Sequence, residues 1–216
     1  MTKDRQITYR SEVLRKGIHL LSLSIPVIYS VISQATALWI LVPLACLFVA
    51  IDILGHKEGW VRNTMLRSFE PVMRNHELKM DDVRLNGASH VLIAACACVW
   101  LFPKIIAITA FSILIVSDIC AALVGRRFGS HRFLDKSLEG TLAFAVSAIG
   151  VVLVIASISS APISFVVIGA FASIVGALVE NISPRLRLDD NISIPGSVGV
   201  TMHVLTYLIS GVPNPH

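Results

Sequence analysis

Charge is what this sequence has least of. Asp, Glu, Lys and Arg supply 15% of its 216 residues, against about 25% in soluble domains. With 55% hydrophobic residues and a mean hydropathy of +0.76, a soluble core could not hide the apolar surface. A membrane is the natural solvent. Long polar linkers, low-complexity tracts and acidic tails are missing too, so residues 1–216 read as a single membrane-embedded domain. The four cysteines, Cys46, Cys96, Cys98 and Cys120, fall in apolar runs. They form no C-x-x-C pair and no zinc-like Cys/His spacing, so they read as small buried hydrophobes. The net charge of +4 does not imply nucleic acid, because a basic excess in a membrane protein reports orientation. Met1 to Lys16 is too charged for a secretory signal and lacks a cleavage pattern, so the first apolar span is expected in the mature protein.

What is there is a series of apolar runs near the ~20 residues that a crossing helix needs. They cover about 17–33, 36–55, 87–103, 104–124, 139–159, 162–180 and 194–212. The expected fold class is therefore an all-α, polytopic helical bundle of about seven transmembrane helices. The count is six if the last run, with Pro195, Gly196, Gly199 and His203, does not cross. Pro103 with Lys104, and Ser160 to Pro162, read as tight hairpin junctions. On this layout 17 of the 18 basic residues fall on one side and Lys104 alone on the other. The positive-inside rule makes that side, with the N-terminus (1–16), cytoplasmic. Within 56–86, Trp60, Val61, Met65, Phe69, Val72 and Met73 recur near helical spacing. Two readings stand for this segment, a helix in the headgroup plane and a solvated loop.

Acids stand at the cytoplasmic ends of several spans: Asp52, Asp118, Glu139 and Glu180. An ionisable group in a span is costly and points to function, although a water-exposed carboxylate at the edge is the plain alternative. Small residues share a helix face with three of them. The groups are Asp118 with Ala121, Ala122 and Gly125; Glu139 with Ala143, Ser147 and Gly150; and Glu180 with Gly169, Ser173 and Gly176. Small stripes let membrane helices approach, so these acids are expected to converge in one cleft. The segment 125–138 reads Gly125-Arg126-Arg127-Phe128-Gly129 and continues to Lys136-Ser137. Glycines, cations and the start of the next helix suit phosphate there, but the Walker A order is absent and the basic pair could be a topology anchor. In the acidic segment 181–193, Asp189-Asp190-Asn191 could hold a hard cation or simply make a turn. Arg15-Lys16, with His19 one turn on from Arg15, is ordinarily a snorkelling anchor.

Taken together, Arg15-Lys16-Gly17-Ile18-His19, Ser117-Asp118-x-x-Ala121-Ala122-Leu123-Val124-Gly125-Arg126-x-Phe128-Gly129, Lys136-Ser137-x-Glu139-Gly140-Thr141, Glu180 and Asp190-Asn191-x-x-x-Pro195 resemble the polyprenol/dolichol, phytol and CTP-dependent diacylglycerol kinases. The blocks agree in order and in side, over most of the chain after residue 15. The resemblance implies transfer of the γ-phosphoryl group of CTP to a membrane lipid alcohol, with Mg²⁺ or another divalent cation. A distant likeness to CDP-diacylglycerol synthases lacks their Lys-Asp pair and Gly/Asp-rich ending. The expected roles are these. Asp118, Lys136 and Glu139 are catalytic, with Glu139 as base or orienter. Arg15, Lys16, His19, Gly125, Arg126, Arg127, Gly129 and Ser137 bind the nucleotide. Asp118, Glu180, Asp190 and Asn191 hold the metal. The expected partners are the lipid alcohol and the nucleoside triphosphate, and the small-residue helix faces permit a homodimer. A transporter, the competing class, would carry ionisable groups near the midplane.

Overall fold

The computed structural model describes residues 17, 19–57, 85–186 and 188–210. Arg15, Lys16 and most of the 56–86 segment lie outside the described residues. The helices are α1 (Ser24–Val31), α2 (Gln34–Lys57), α3 (Gly87–Leu101), α4 (Lys104–Phe128), α5 (Leu138–Ser159), α6 (Ile163–Leu186) and α7 (Asp190–Ser210). Between α4 and α5 lies a small antiparallel hairpin, β1 (Arg132–Phe133) and β2 (Lys136–Ser137), with Phe133 opposite Lys136. Among the described residues, five helices, α2 and α4 to α7, are long and apolar enough to cross a membrane; the stretches His19–Val31 and Gly87–Leu101 are shorter. The chain is thus an all-α bundle whose long apolar helices suit an integral membrane protein.

The first expected span is the most altered. Ser22 and Leu23 donate their N–H groups to His19 and Leu20 at 3.0 Å, the i−3 pattern of a tight 3₁₀ turn. His19 to Leu21 are helical before this turn, and regular helix resumes at Ser24, where Pro26 falls in the first turn and its missing N–H costs no bond. Both tight junctions are present. Phe102 N–H closes on Cys98 C=O at 3.1 Å before Pro103, and Ser160 ends α5 in the left-handed region at φ 50.

Two helices run further than hydropathy indicates. α4 continues through Gly125 to Phe128, so the expected phosphate loop 125–138 begins with a helical turn. Asp118 therefore lies ten residues inside the helix end, roughly 15 Å along the axis. α6 passes Pro184 to Leu186. Proline has no N–H to give Glu180 C=O, and the Ser183 hydroxyl stands in for it, 2.9 Å from that oxygen. The acidic segment is therefore largely helical, with a short connection before α7.

α4 is the hub: it packs against α1, α3, α5 and α7, and 61% of its apolar window is buried. The outer helices turn large apolar side chains outward, among them Trp39, Val146, Ile158 and Ile163. α6 and α7 meet where a Cβ on Gly176 would lie 2.7 Å from Val198, the close approach that small residues permit. This contact brings the end of α6 beside the start of α7.

Candidate functional site

A cleft of about 230 Å³ opens at the end of the bundle that carries the hairpin. Asp118, Ala121, Ala122 and Gly125 of α4 line it, with Lys136 and Ser137 of β2, Gly140 and Thr141 of α5, Glu180 of α6 and Asp190 of α7. One carboxylate oxygen each from Asp118, Glu180 and Asp190 falls in a group within 4.8 Å. The Lys136 ammonium donates to Glu180 Oε1 at 2.5 Å and to Asp190 Oδ2 at 3.2 Å. Burial alone would lower the Lys136 pKa, but the charges of Asp190, Glu180 and, further off, Asp118 outweigh it and hold it above the ordinary lysine value. Lys136 is therefore a fixed cation at any physiological pH. His19 approaches from the other side, its Nε2 4.0 Å from Asp118 Oδ2.

Three carboxylates around one ammonium leave a formal excess of two negative charges within this group. Hard divalent cations take oxygen ligands of this kind. The donor set, three carboxylates on three different helices, fits such an ion.

A network beside the cleft holds these groups. Ser183 Oγ donates to Asp190 Oδ1, fixing the carboxylate at the start of α7. Asp189 accepts from Asn191 N–H and from Asn191 Nδ2, at 2.9 and 2.8 Å. Arg185 reaches Asp135 at 3.1 Å. Asn181, fully buried, accepts from the N–H groups of Asp135 and Lys136 and donates to Thr141 Oγ1 at 2.6 Å.

The expected residues divide into those that meet and those that do not. Asp118, Lys136, Glu180, Asp190, Gly125 and Ser137 line the cleft, with His19 next to it. Arg15 and Lys16 lie outside the described residues. Arg126 and Arg127 form the exposed last turn of α4, beyond the cleft lining, and Arg127 lies over the Phe128 ring at 5.5 Å.

Glu139 departs most from expectation. Its carboxylate accepts from Ser130 N–H at 3.1 Å, Ser130 Oγ at 2.7 Å and His131 N–H at 3.1 Å, and His131 Nδ1 lies 2.8 Å away. It is not among the cleft residues, because the buried face of α5 runs through Gly140, Thr141, Phe144 and Ala148, one residue round from the expected stripe. The Asn191 amide nitrogen donates to Asp189, and Asn191 is likewise absent from the lining.

The glycines have a packing reason. A Cβ on Gly125, Gly129 or Gly140 would come within 3.0, 2.8 or 3.0 Å of the Ser137 hydroxyl. That hydroxyl caps α5 by accepting from Gly140 N–H at 3.2 Å. Leu138 N–H is also taken, by His131 C=O at 2.9 Å, so the first turn of α5 offers a phosphate fewer amides than expected. Gly129 itself ends α4 through its N–H to Gly125 C=O at 3.0 Å and lies outside the cleft lining.

Asn181 is a site-building residue that the sequence reading does not single out, and Thr141 enters there only as the end of a motif. The available signal was an amide side chain in an apolar helix, where polar groups seek partners on neighbouring helices.

No family model matches this chain, and no solved structure does. Over 199 residues it is 30% identical to a curated relative from Rickettsia prowazekii (strain Madrid E), spanning 92% of this chain and 96% of that protein. The site residues thus lie in a chain that belongs to the same family as the uncharacterized protein RP860 of that organism.

Proposed function

We propose that the protein is a CTP-dependent lipid-alcohol kinase, transferring the γ-phosphoryl group to the hydroxyl of a membrane isoprenoid alcohol of the polyprenol, dolichol or phytol type. The observation that carries the reading is the convergence of Asp118, Glu180 and Asp190 around the Lys136 ammonium in a cleft at the end of an apolar bundle. The sequence resemblance supplies the reaction class. The same reading keeps seven crossings, a cytoplasmic N-terminus and a cytoplasmic cleft, on the strength of the basic residues gathered on one side.

Phosphoryl transfer is mostly a matter of positioning and electrostatic stabilisation. Asp118, Glu180 and Asp190 would hold Mg²⁺ or another divalent cation, which supplies counter-charge to the triphosphate. Lys136 contributes a further positive charge toward the phosphoryl oxygens. Arg126 and Arg127 border the same end and attract the nucleotide, and Arg15 and Lys16 would close over it. With the Glu139 carboxylate engaged by Ser130 and His131, orienting the acceptor hydroxyl passes to Asp118. The hydroxyl oxygen bonds to the γ-phosphorus, the bond to the β-phosphate oxygen breaks, the hydroxyl proton goes to the carboxylate, and CDP leaves.

The test is direct. Purified protein is incubated with Mg²⁺, γ-labelled CTP or ATP, and separately polyprenol, phytol or diacylglycerol. Labelled isoprenoid phosphate with release of CDP is expected. Preferential labelling of diacylglycerol changes the acceptor, pyrophosphate release indicates a CDP-lipid synthase, and no labelled lipid with any acceptor overturns the kinase reading.

A further inference from the structure

Lys136 stands on a two-residue strand, a weak support for a cation that must sit between two carboxylates. The turn before it is strained. Leu134 has φ 52, a conformation that a bulky side chain rarely adopts and that persists only where the surroundings over-determine it. The pairing of the hairpin is only two residues long on each side, so contacts from outside it add to its hold.

The side chain that does so comes from α6, next to Glu180. Asn181 is fully buried. Its Oδ1 accepts from Asp135 N–H at 3.0 Å and Lys136 N–H at 3.3 Å, the two backbone donors that follow the strained residue. Its Nδ2 donates to Thr141 Oγ1 at 2.6 Å, and that hydroxyl donates to Ser137 C=O at 3.1 Å. The amide thus grips β2 at both ends, by the N–H groups of Asp135 and Lys136 at its start and, through Thr141, by the Ser137 carbonyl at its end. The donor and acceptor pattern also fixes its orientation, since a flipped amide would set NH₂ against two N–H groups.

We propose that Asn181 is a positioning residue: it clamps the Leu134–Ser137 turn to α6 so that the Lys136 ammonium is held between Glu180 and Asp190. A single helix then sets the position of both partners, Glu180 directly and Lys136 through the neighbouring amide. The importance of this clamp to turnover rests on the kinase reading; the clamp itself does not.

The test reads Lys136 rather than product. Membrane vesicles containing the whole protein are treated briefly with an amine-acylating reagent, and modification of Lys136 is followed by mass spectrometry, with Lys104 as internal reference. In the native protein the two carboxylates protect Lys136. Asn181→Ala should raise its labelling about fivefold, the effect of losing roughly one buried hydrogen-bonded contact, and leave Lys104 unchanged. Labelling of Lys136 at the native rate in folded Asn181→Ala overturns the proposal. If that variant fails to accumulate, Thr141→Val and Thr141→Ser put the same question from the other end of the amide. Labelling should rise with Val and stay low with Ser, and equal labelling in the two overturns the clamp. Rescue by the hydroxyl that Thr141→Ser retains is what a merely space-filling role would not show. Should labelling respond as expected while no lipid is phosphorylated, the clamp stands and the kinase reading falls.

Discussion

Among the described residues, the acid near the end of α2 and the acids of the cleft form two centres of different character. At the end of α2, Asp52 is 3% exposed and accepts from Asn86 N–H at 2.9 Å, Asn86 Nδ2 at 2.6 Å and Ser89 Oγ at 2.6 Å. These neutral donors come from one short stretch at the start of α3, where Asn86 is also the N-cap. The carboxylate is consumed in joining two helices. Asp118, Glu180 and Asp190 come from three helices, share a cleft and crowd their charges around one ammonium. An acid at a helix end is therefore not a site in itself. What distinguishes the second centre is convergence in an open space with charge left over.

Four substitutions break or sharpen this contrast. The largest effect is expected for Asp118→Asn, which should lower phosphoryl transfer a hundredfold or more, on the order of 3 kcal/mol as for loss of one preorganised electrostatic contact. Membrane insertion, checked by carbonate extraction, should persist. Lys136→Ala should lower transfer nearly as far, yet Mn²⁺ binding followed by electron paramagnetic resonance should tighten, because the carboxylates lose their resident cation. Weaker Mn²⁺ binding would show that Lys136 organises the acids rather than competes with a metal. Asp52→Asn inverts the pattern. It should cost about 1–3 kcal/mol of stability, the range for disturbing buried hydrogen bonds, seen as a lower melting temperature with unchanged turnover per folded molecule. The smallest effect is expected for Glu139→Gln, whose carboxylate serves the Ser130–His131 loop; a loss of transfer matching that of Asp118→Asn would return Glu139 to the chemistry.

Hydropathy made the helices legible, since lipid-facing and core-facing surfaces are both apolar and the runs stand out whatever the packing. It could not place their ends. Gly125 reads as a loop residue and the sixth apolar run ends at 180, but packing against Ser137 and the Ser183 hydroxyl carry the helices through. The acids of α4 and α6 are legible because charge at the end of an apolar run is costly, and Asp190 because the Asp189-Asp190-Asn191 cluster follows Glu180 on the same side. Glu139 misled because a one-residue rotation of α5 decides which face is buried, and the stripe of small residues allowed either. Asn181 was hidden because its partners are backbone N–H groups of the hairpin, about 45 residues away, invisible to any local pattern.

The four charged groups of the cleft belong to α4, the hairpin, α6 and the first residue of α7. During synthesis most of the chain emerges before Asp190 does. A nascent protein in which α7 has not yet emerged holds Lys136 and Glu180 but not Asp190, so the cluster does not exist until α7 has entered and docked. Formation of the cluster is in this way tied to the docking of α7, and a chain truncated ahead of residue 190 would lack one of its three carboxylates.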